Sequence, residues 1–381
     1  MIGIVVNGFA VVTPYLVDSA AIEAASVRAH ELTQKRQTFS LNLSHSLPRN
    51  IPALSMESEA LHLFLCGKSL AEKEVATSLK SNQHSLQLSN SSQLVLGLQS
   101  DIRNCMSSFD VNSFLTSLST SRFGRFLIWC PRLPSTHDLV SQNFSNLPVG
   151  AVCVADFQFK GRGRSTNVWE SPPGCLMFSF TIEMEDGRVV PLVQYVASLA
   201  LTEAIKHLCF ENGFPQLGVK IKWPNDLFLN GSKVGGILCT STYKSKKFNI
   251  SVGIGLNIDN KQPTTCLNAR LQQIASKSCR LLKEDILASF FDKFENFFEL
   301  FLSQGFQPLE ELYYQTWLHN GQRVVVRDIC EGQPVDNAVT IQGLTPSGYL
   351  LAIGGDGQMC ELHPDGNSLD FFKGLVRHKM S

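Results

Sequence analysis

Residues 219–259 read VKIKWPNDLFLNGSKVGGILCTSTYKSKKFNISVGIGLNID, and this stretch decides the fold. Asn230-Gly231 supplies the positive-φ residues of a tight hairpin, so DLFL is expected to turn back as KVGGILCTSTY. The polar YKSKK turn then returns that strand as FNISVGIGLNI. An antiparallel meander results, which argues against a parallel nucleotide-binding sheet. Lys222 and Lys233 sit on successive strands, where a lysine is ordinarily solvated. Lys233 differs because Gly235-Gly236 follow it, removing side chains where a backbone or ligand would press close. Pro224 fixes φ just before Asn225-Asp226 and pins those polar groups at a strand edge.

Working outward, FGRFLIW (123–129), GAVCVADFQF (150–159) and CLMFSFTIEM (175–184) read as strands. VPLVQYVASLALTEAIKHLC (190–209) has apolar residues at three- and four-residue steps and reads as a packed helix. Glu284 to Gln304 is a second amphipathic helix, with Ile286, Phe290, Phe294, Phe297 and Phe301 on one side as core. After Trp317, the runs QRVVVRD, AVTIQG, GYLLAIGG and MCELHPDGNS predict a small β-barrel. The expected fold class is α+β. A mixed, largely antiparallel sheet flanked by helices spans 120–318, and a C-terminal β module spans 319–381.

The first 17 residues carry no charge, lack a basic start, and fall short of the ~20 residues that cross a bilayer. Residues 32–55 contain Lys35, Arg36 and Arg49, no acid, and several Ser and Thr. Residues 1–55 are therefore expected to be a disordered organelle presequence, directing the chain to a plastid or mitochondrion. Translation from Met56 would leave it in the cytosol. Residues 56–119, Ser- and Asn-rich between apolar patches, form an N-terminal region of unassigned role, with no helix-turn-helix and no basic stripe.

The 381-residue chain has 33 basic and 33 acidic side chains, so no global field favours nucleic acid or an anionic membrane. Its 44% hydrophobic and 17% charged content is that of a globular protein. Eleven scattered cysteines without a CxxC pair fit buried free thiols and give no dedicated metal motif. Any anion site must be local, and KGRGRSTNVWESPPG (160–174) is the candidate. Gly161 and Gly163 let backbone N–H groups approach an anion, while Arg162 and Arg164 offer guanidinium forks for phosphate or carboxylate. With Lys160, Lys222 and Lys233, this gathers five cations near Gly-rich backbone, which suits a triphosphate-sized anion. Two other nucleotide motifs fail. Gly67-Lys68-Ser69 lacks the earlier glycine of a phosphate loop, where His62 stands. Gly253-Ile-Gly255 lacks the third glycine of a dinucleotide fingerprint.

Six motifs then occur in order: Ser135-Thr136-His137-Asp138, Gln158 with Gly161-Arg-Gly-Arg164, Trp169-Glu-Ser-Pro, Lys222-Trp-Pro-Asn-Asp226, Lys233-Val-Gly-Gly-Ile-Leu238 and Gly253-Ile-Gly-Leu-Asn257. From about residue 120 onward the chain resembles the biotin–protein ligases, the plant holocarboxylase synthetases most. The resemblance implies a class II synthetase-like catalytic fold with a C-terminal SH3-like β domain. It implies a ligase that joins biotin to ATP as biotinyl-5′-AMP, releasing diphosphate, then passes biotin to a lysine of a carboxylase carrier domain. Acetyl-CoA and methylcrotonoyl-CoA carboxylases are the expected partners, with Mg²⁺ carried on ATP and no nucleic-acid or membrane partner.

By motif position, Ser135, Thr136, His137 and Gln158 would line the biotin site, joined by Arg162, Gly163, Arg164 and Lys233. Gly161, Arg162, Arg164, Trp169, Lys222, Asn225 and Asn257 would contact ATP or the adenylate, Trp169 beside adenine. Arg164, Lys233 and Asp226 would be catalytic, Asp226 as base or orienting group for the acceptor lysine, whose ordinary pKa is ~10.4. A strand-edge structural role for Asp226 is the competing reading. His137 departs from the Asn common in bacterial members, and Ser165-Thr166 from the basic or Gly residues that often follow the loop. The rival expectations are a lipoate–protein ligase of the same fold and a non-catalytic biotin- or nucleotide-binding regulator.

Overall fold

In the computed structural model, Asn230 and Gly231 both take positive φ, 49° and 75°, and the hairpin forms between them. The structure describes residues 4–6, 9–11 and, with short gaps, 60–378. The chain divides into two units, Met1–Glu57 and Ser58–Ser381. In the first, β1 (Ile4–Val6) and β2 (Phe9–Val11) form an antiparallel hairpin. The remainder of the expected presequence, and Met56, lie outside the described residues.

The second unit is built on a nine-stranded sheet ordered β4-β3-β5-β6-β7-β11-β10-β9-β8. Its strands are β3 (Leu61–Gly67), β4 (Leu94–Leu98), β5 (Phe126–Leu133), β6 (Val152–Gln158), β7 (Cys175–Met184), β8 (Lys220–Lys222), β9 (Asp226–Leu229), β10 (Ser232–Lys244) and β11 (Lys247–Asn257). The β3–β4 and β5–β6 pairs are parallel; every other neighbour is antiparallel. The meander read from residues 219–259 is one half of this sheet. Residues 61–98, set apart in the sequence reading, supply its other edge. The apolar run of β3 is buried on both faces against β5, and α1 (Leu70–Ser81) packs beside it. Lys68, in the rejected phosphate-loop motif, donates instead to the carbonyls of Leu115 and Leu118 at 2.6 and 2.5 Å, capping the end of α2 (Val111–Ser117).

Alternation along the central strands sends one face to the core and the other to a cavity. Leu176, Phe178, Phe180 and Ile182 of β7, with Ile250, Val252, Ile254 and Leu256 of β11, join the core under α4 (Val193–Glu211) and α6 (Lys283–Gln304). Phe178 and Phe180 meet Phe290, Phe291 and Phe294 edge-on at 5.0–6.1 Å between centroids. Each such ring, fully buried, contributes ~1.5–3 kcal/mol. Helical periodicity places Phe298 rather than Phe297 in that stripe; Phe297 is only half-buried. On the opposite face lie Ser179 of β7 and Gly253, Gly255 and Asn257 of β11.

Beyond α5 (Leu267–Ile274) and α7 (Gln307–Thr316), the C-terminal part is a six-stranded sheet ordered β15-β14-β13-β12-β17-β16. It comprises β12 (Arg323–Cys330), β13 (Gln333–Leu344), β14 (Leu350–Gly354), β15 (Met359–Leu362), β16 (Asn367–Asp370) and β17 (Leu375–His378). Only its β12–β17 pair is parallel. No described helix is long and apolar enough to cross a membrane.

Candidate active site

A cavity of about 590 Å³ opens on the face opposite α4 and α6. Every residue assigned a biotin, adenylate or catalytic role from the sequence lines it except Gly161. Its inner wall is α3 (Thr136–Gln142), whose first turn is capped by Ser135 accepting from the Asp138 N–H at 3.2 Å. The Thr136 N–H and hydroxyl both donate to Gln158 Oε1, at 2.7 and 2.9 Å. The same hydroxyl lies 2.8 Å from Ser179 Oγ, and Gln158 Nε2 donates to Ser171 Oγ at 3.2 Å. Ser179 is wholly buried, and its signal in the sequence is a lone hydroxyl within the otherwise apolar run 175–180. His137 sits over Gly253, where a Cβ would come within 3.0 Å of its ring, and its Nε2 is 3.1 Å from Thr240 Oγ1. Burial holds His137 below the ordinary imidazole value, so it is neutral at physiological pH. These groups offer compact, fixed donors and acceptors suited to a small polar ring.

The outer wall is the loop between β6 and β7. It is a narrow ladder, with bridges between Gln158 and Ser171 and between Arg162 and Val168. Its tip, Ser165-Thr166, lies outside the described residues. Gly161 serves the ladder itself. A Cβ there would fall 2.5 Å from the Trp169 carbonyl, so the close approach needing this glycine is internal to the loop. Arg162 pairs with Asp138 at 2.7 Å, and Arg164 donates to Asn225 Oδ1 at 3.2 Å. Both guanidinium groups thus border the cavity between the inner wall and the β8–β9 turn.

That turn carries Lys222, Asn225 and Asp226. Asn225 is held by its amide donating to the Ile237 carbonyl at 2.6 Å. Lys233 Nζ is 2.6 Å from Asp226 Oδ1 and 5.3 Å from the centre of a Trp169 ring. The indole lies across Gly236 and Gly255, which are direct partners on β10 and β11. Its N–H has no hydrogen-bond partner among the described residues. Asn257 Nδ2 donates to Thr264 Oγ1 at 3.1 Å, and Thr264 Oγ1 donates to the Lys233 carbonyl at 2.7 Å. Thr264 carries no periodicity signal, and nothing local in the sequence marked it. The cavity therefore couples a rigid polar end to a cationic end roofed by an aromatic.

Residues 129–257 match the biotin/lipoate A/B protein ligase family. The chain is 64% identical over 346 residues to biotin–protein ligase 1, chloroplastic, of Arabidopsis thaliana, spanning 90% of this chain and 94% of that protein. The chain belongs to the biotin–protein ligase family. It is also 30% identical over 282 residues to the Homo sapiens biotin–protein ligase, 71% of this chain and 38% of that one. Among solved structures it is similar to the biotin protein ligase from Aquifex aeolicus in complex with biotin and ATP. That likeness has a TM-score of 0.45 at 24% identity, covering 62% of this chain and 94% of that chain. The biotin–protein ligase reading stands, and the lipoate and non-catalytic readings give way to it.

Among the described residues no three His, Cys, Asp or Glu side chains gather as a metal site. The nine described cysteines are free, and seven of them are buried.

Proposed function

We propose that the ligase binds the biotin ring at Ser135, Thr136, His137 and Gln158, gathers its carboxylate at Arg162, Gly163, Arg164 and Lys233, and holds the ATP phosphates at Arg162, Arg164, Lys222 and Asn225. The observation that carries this is the single cavity holding both groups of residues. A ureido ring offers one acceptor and two N–H donors, which the hydroxyls, amide and imidazole of the inner wall match. A carboxylate is already a nucleophile, so forming the adenylate needs no base. It needs two anions brought together and charge stabilised at the α-phosphate. Arg164, from the β6–β7 loop, and Lys233, from β10, supply that charge. Trp169 stacks beside adenine, and Asn257, fixed by Thr264, reaches the adenylate.

Mg²⁺ supplies charge neutralisation on the phosphates when bound. Among the described residues the carboxylates lining the cavity are Asp226 and Glu170, so phosphate and water oxygens would hold most of the ion's shell. In the second step Asp226, released from Lys233 once the substrate carboxylate takes its place, orients or deprotonates the acceptor lysine. That lysine belongs to a carrier domain of a biotin-dependent carboxylase, of the acetyl-CoA or methylcrotonoyl-CoA type. A plastid is the proposed compartment, supported by the acid-poor, Ser/Thr-containing run at 32–55 and the chloroplastic relative.

Incubation with ATP, Mg²⁺ and a carrier domain, with biotin or lipoate, tests the substrate. Biotin on one carrier lysine is expected, and labelling by lipoate alone would overturn the reading. Arg164→Ala and Lys233→Ala should each nearly abolish biotin-dependent pyrophosphate exchange. Wild-type exchange in both would remove the anion clamp.

A further inference from the structure

The turn bearing Lys222, Asn225 and Asp226 joins β8 to β9 at the very edge of the nine-stranded sheet, where β8 pairs within the sheet with β9 alone. An edge of three residues has little to hold it. The chain leaving α7 covers it. Trp317 bridges Ile221 in parallel, and the Leu318 N–H donates to the Ile221 carbonyl at 2.9 Å. At the next residue the covering segment turns away, and a side chain takes over from the backbone. The Trp223 N–H, at the start of the turn, donates to His319 Nε2 at 3.0 Å.

His319 is fully buried, and its Nδ1 lies 2.9 Å from Gln322 Oε1. For Nε2 to accept, Nδ1 must carry the proton and donate it to Gln322, so the two contacts define one neutral tautomer. A second connection grips the same residue from its other end. The Trp223 indole N–H donates to the Tyr195 hydroxyl at 2.9 Å, and that hydroxyl donates to the Gly348 carbonyl at 2.5 Å. Gly348 lies in the β13–β14 turn with φ of 83°, and a Cβ there would fall 2.9 Å from the Tyr195 ring. The segment leading into the C-terminal sheet, through His319, and the β13–β14 turn, through Tyr195 of α4, thus hold Trp223 at backbone and indole.

We propose that His319 is a positioning residue of the ligase. Through Trp223 it sets where Lys222, Asn225 and Asp226 stand in the cavity, with Tyr195 and Gly348 as the second clamp. His319 touches no substrate, and its effect passes through one backbone N–H. The inner wall that takes the biotin ring lies outside this linkage, so loss of the acceptor should fall on phosphate handling and transfer, not on biotin capture. The proposal rests on the reading of Lys222–Asp226 as working residues.

His319→Leu removes the acceptor and keeps an apolar filler, while His319→Gln returns an oxygen near the Nε2 position. In His319→Leu, kcat for biotin-dependent pyrophosphate exchange should fall about 10- to 100-fold, the effect of a roughly 1 Å misplacement. The KM for biotin should stay within about twofold, and His319→Gln should recover most of the loss. Wild-type kcat in His319→Leu, a matching rise in the biotin KM, or no rescue by His319→Gln would each overturn the proposal. Should His319→Leu not fold, Tyr195→Phe keeps the packing and cuts the second clamp. It is expected to lower kcat in the same direction, and unchanged kcat would overturn the shared linkage. Lys222→Ala and Asp226→Asn run beside these as controls. If both leave exchange and transfer intact, the reading of the turn fails; if they impair activity and His319→Leu does not, only the positioning role fails.

Discussion

Gly255→Ala isolates the seat of Trp169. The substitution adds one methyl on the cavity face of β11, at a backbone conformation any residue accepts. Its Cβ would stand 2.6 Å from Cε2, 2.7 Å from Nε1 and 2.9 Å from Cζ2 of the indole, where ordinary contact begins at 3.4 Å. The ring must therefore withdraw by about 0.8 Å or leave its seat, because the strand beneath it is fixed on both sides. The cross-strand partner Gly236 is a matched control, since its Cβ would meet the indole at 3.3 Å and needs only a slight shift. If the indole stacks on adenine, losing that stack forfeits ~1–3 kcal/mol, which is about 5- to 150-fold in ATP affinity. The strain falls on a surface loop, so the melting temperature should barely change. Pyrophosphate exchange at varied ATP gives the KM: a large rise is expected for Gly255→Ala and little for Gly236→Ala. In a Trp169→Ala background, Gly255→Ala should add almost nothing, because the partner of the clash is gone. A wild-type ATP KM in Gly255→Ala, or a full penalty retained without Trp169, would refute the seat.

Gln158→Leu leaves the buried Thr136 N–H without its acceptor, costing ~1–3 kcal/mol of stability. It should raise the biotin KM while the ATP KM holds, and equal rises in both would contradict a ring-specific inner wall. Asp226→Asn should slow transfer from isolated biotinyl-adenylate more than it slows exchange; transfer at the normal rate removes the base assignment. Acid should act through His319, which burial holds at about 4, below its ordinary 6.5. On acidification the unfolded chain takes the proton first, so stability is complete above about 6.5, erodes as pH falls, and has lost on the order of 3 kcal/mol by about 4. Denaturant melts across that window should show a shallower slope in His319→Gln, and an unchanged slope would refute the assignment.

What the sequence disclosed follows from the range of each signal. Asn230-Gly231 is a local conformational demand, and the meander around it formed as read. The glycines of GIGLN carried more than the reading took from them. Their period of two, set between Ile254 and Leu256, puts Gly253 and Gly255 on the cavity face with Asn257. The pairing of β3 with β5 was hidden, since a Ser/Asn-rich stretch at 81–93 separates the Leu61–Gly67 run from β4 and no short-range signal names a partner. Gly161 was read as an opening for an anion because glycine removes a side chain for any neighbour, and sequence does not say which. His319 is the limiting case. Its partner Trp223 lies 96 residues away, and only the closing of a sheet edge brings them together.

The two ends of the cavity suit different tasks. The hydrogen bonds of Thr136, Gln158 and Ser179 are buried, and breaking one strands a polar group away from water, so that wall is costly to rearrange. The ion pairs at the other end differ. The side chains of Arg162 and Lys233 remain 53% and 39% exposed while paired to Asp138 and Asp226, and such pairs contribute only ~0–1 kcal/mol. A substrate carboxylate or phosphate can replace either aspartate with little loss. The exchange has a direction as well. On the proposed roles, replacing Asp226 at Lys233 would free a carboxylate near the adenylate, where the acceptor lysine must next arrive. On those roles one ion pair would link the two half-reactions: a substrate carboxylate taking Asp226's place on Lys233 would leave Asp226 unpaired before the adenylate forms and ready for the acceptor lysine after it.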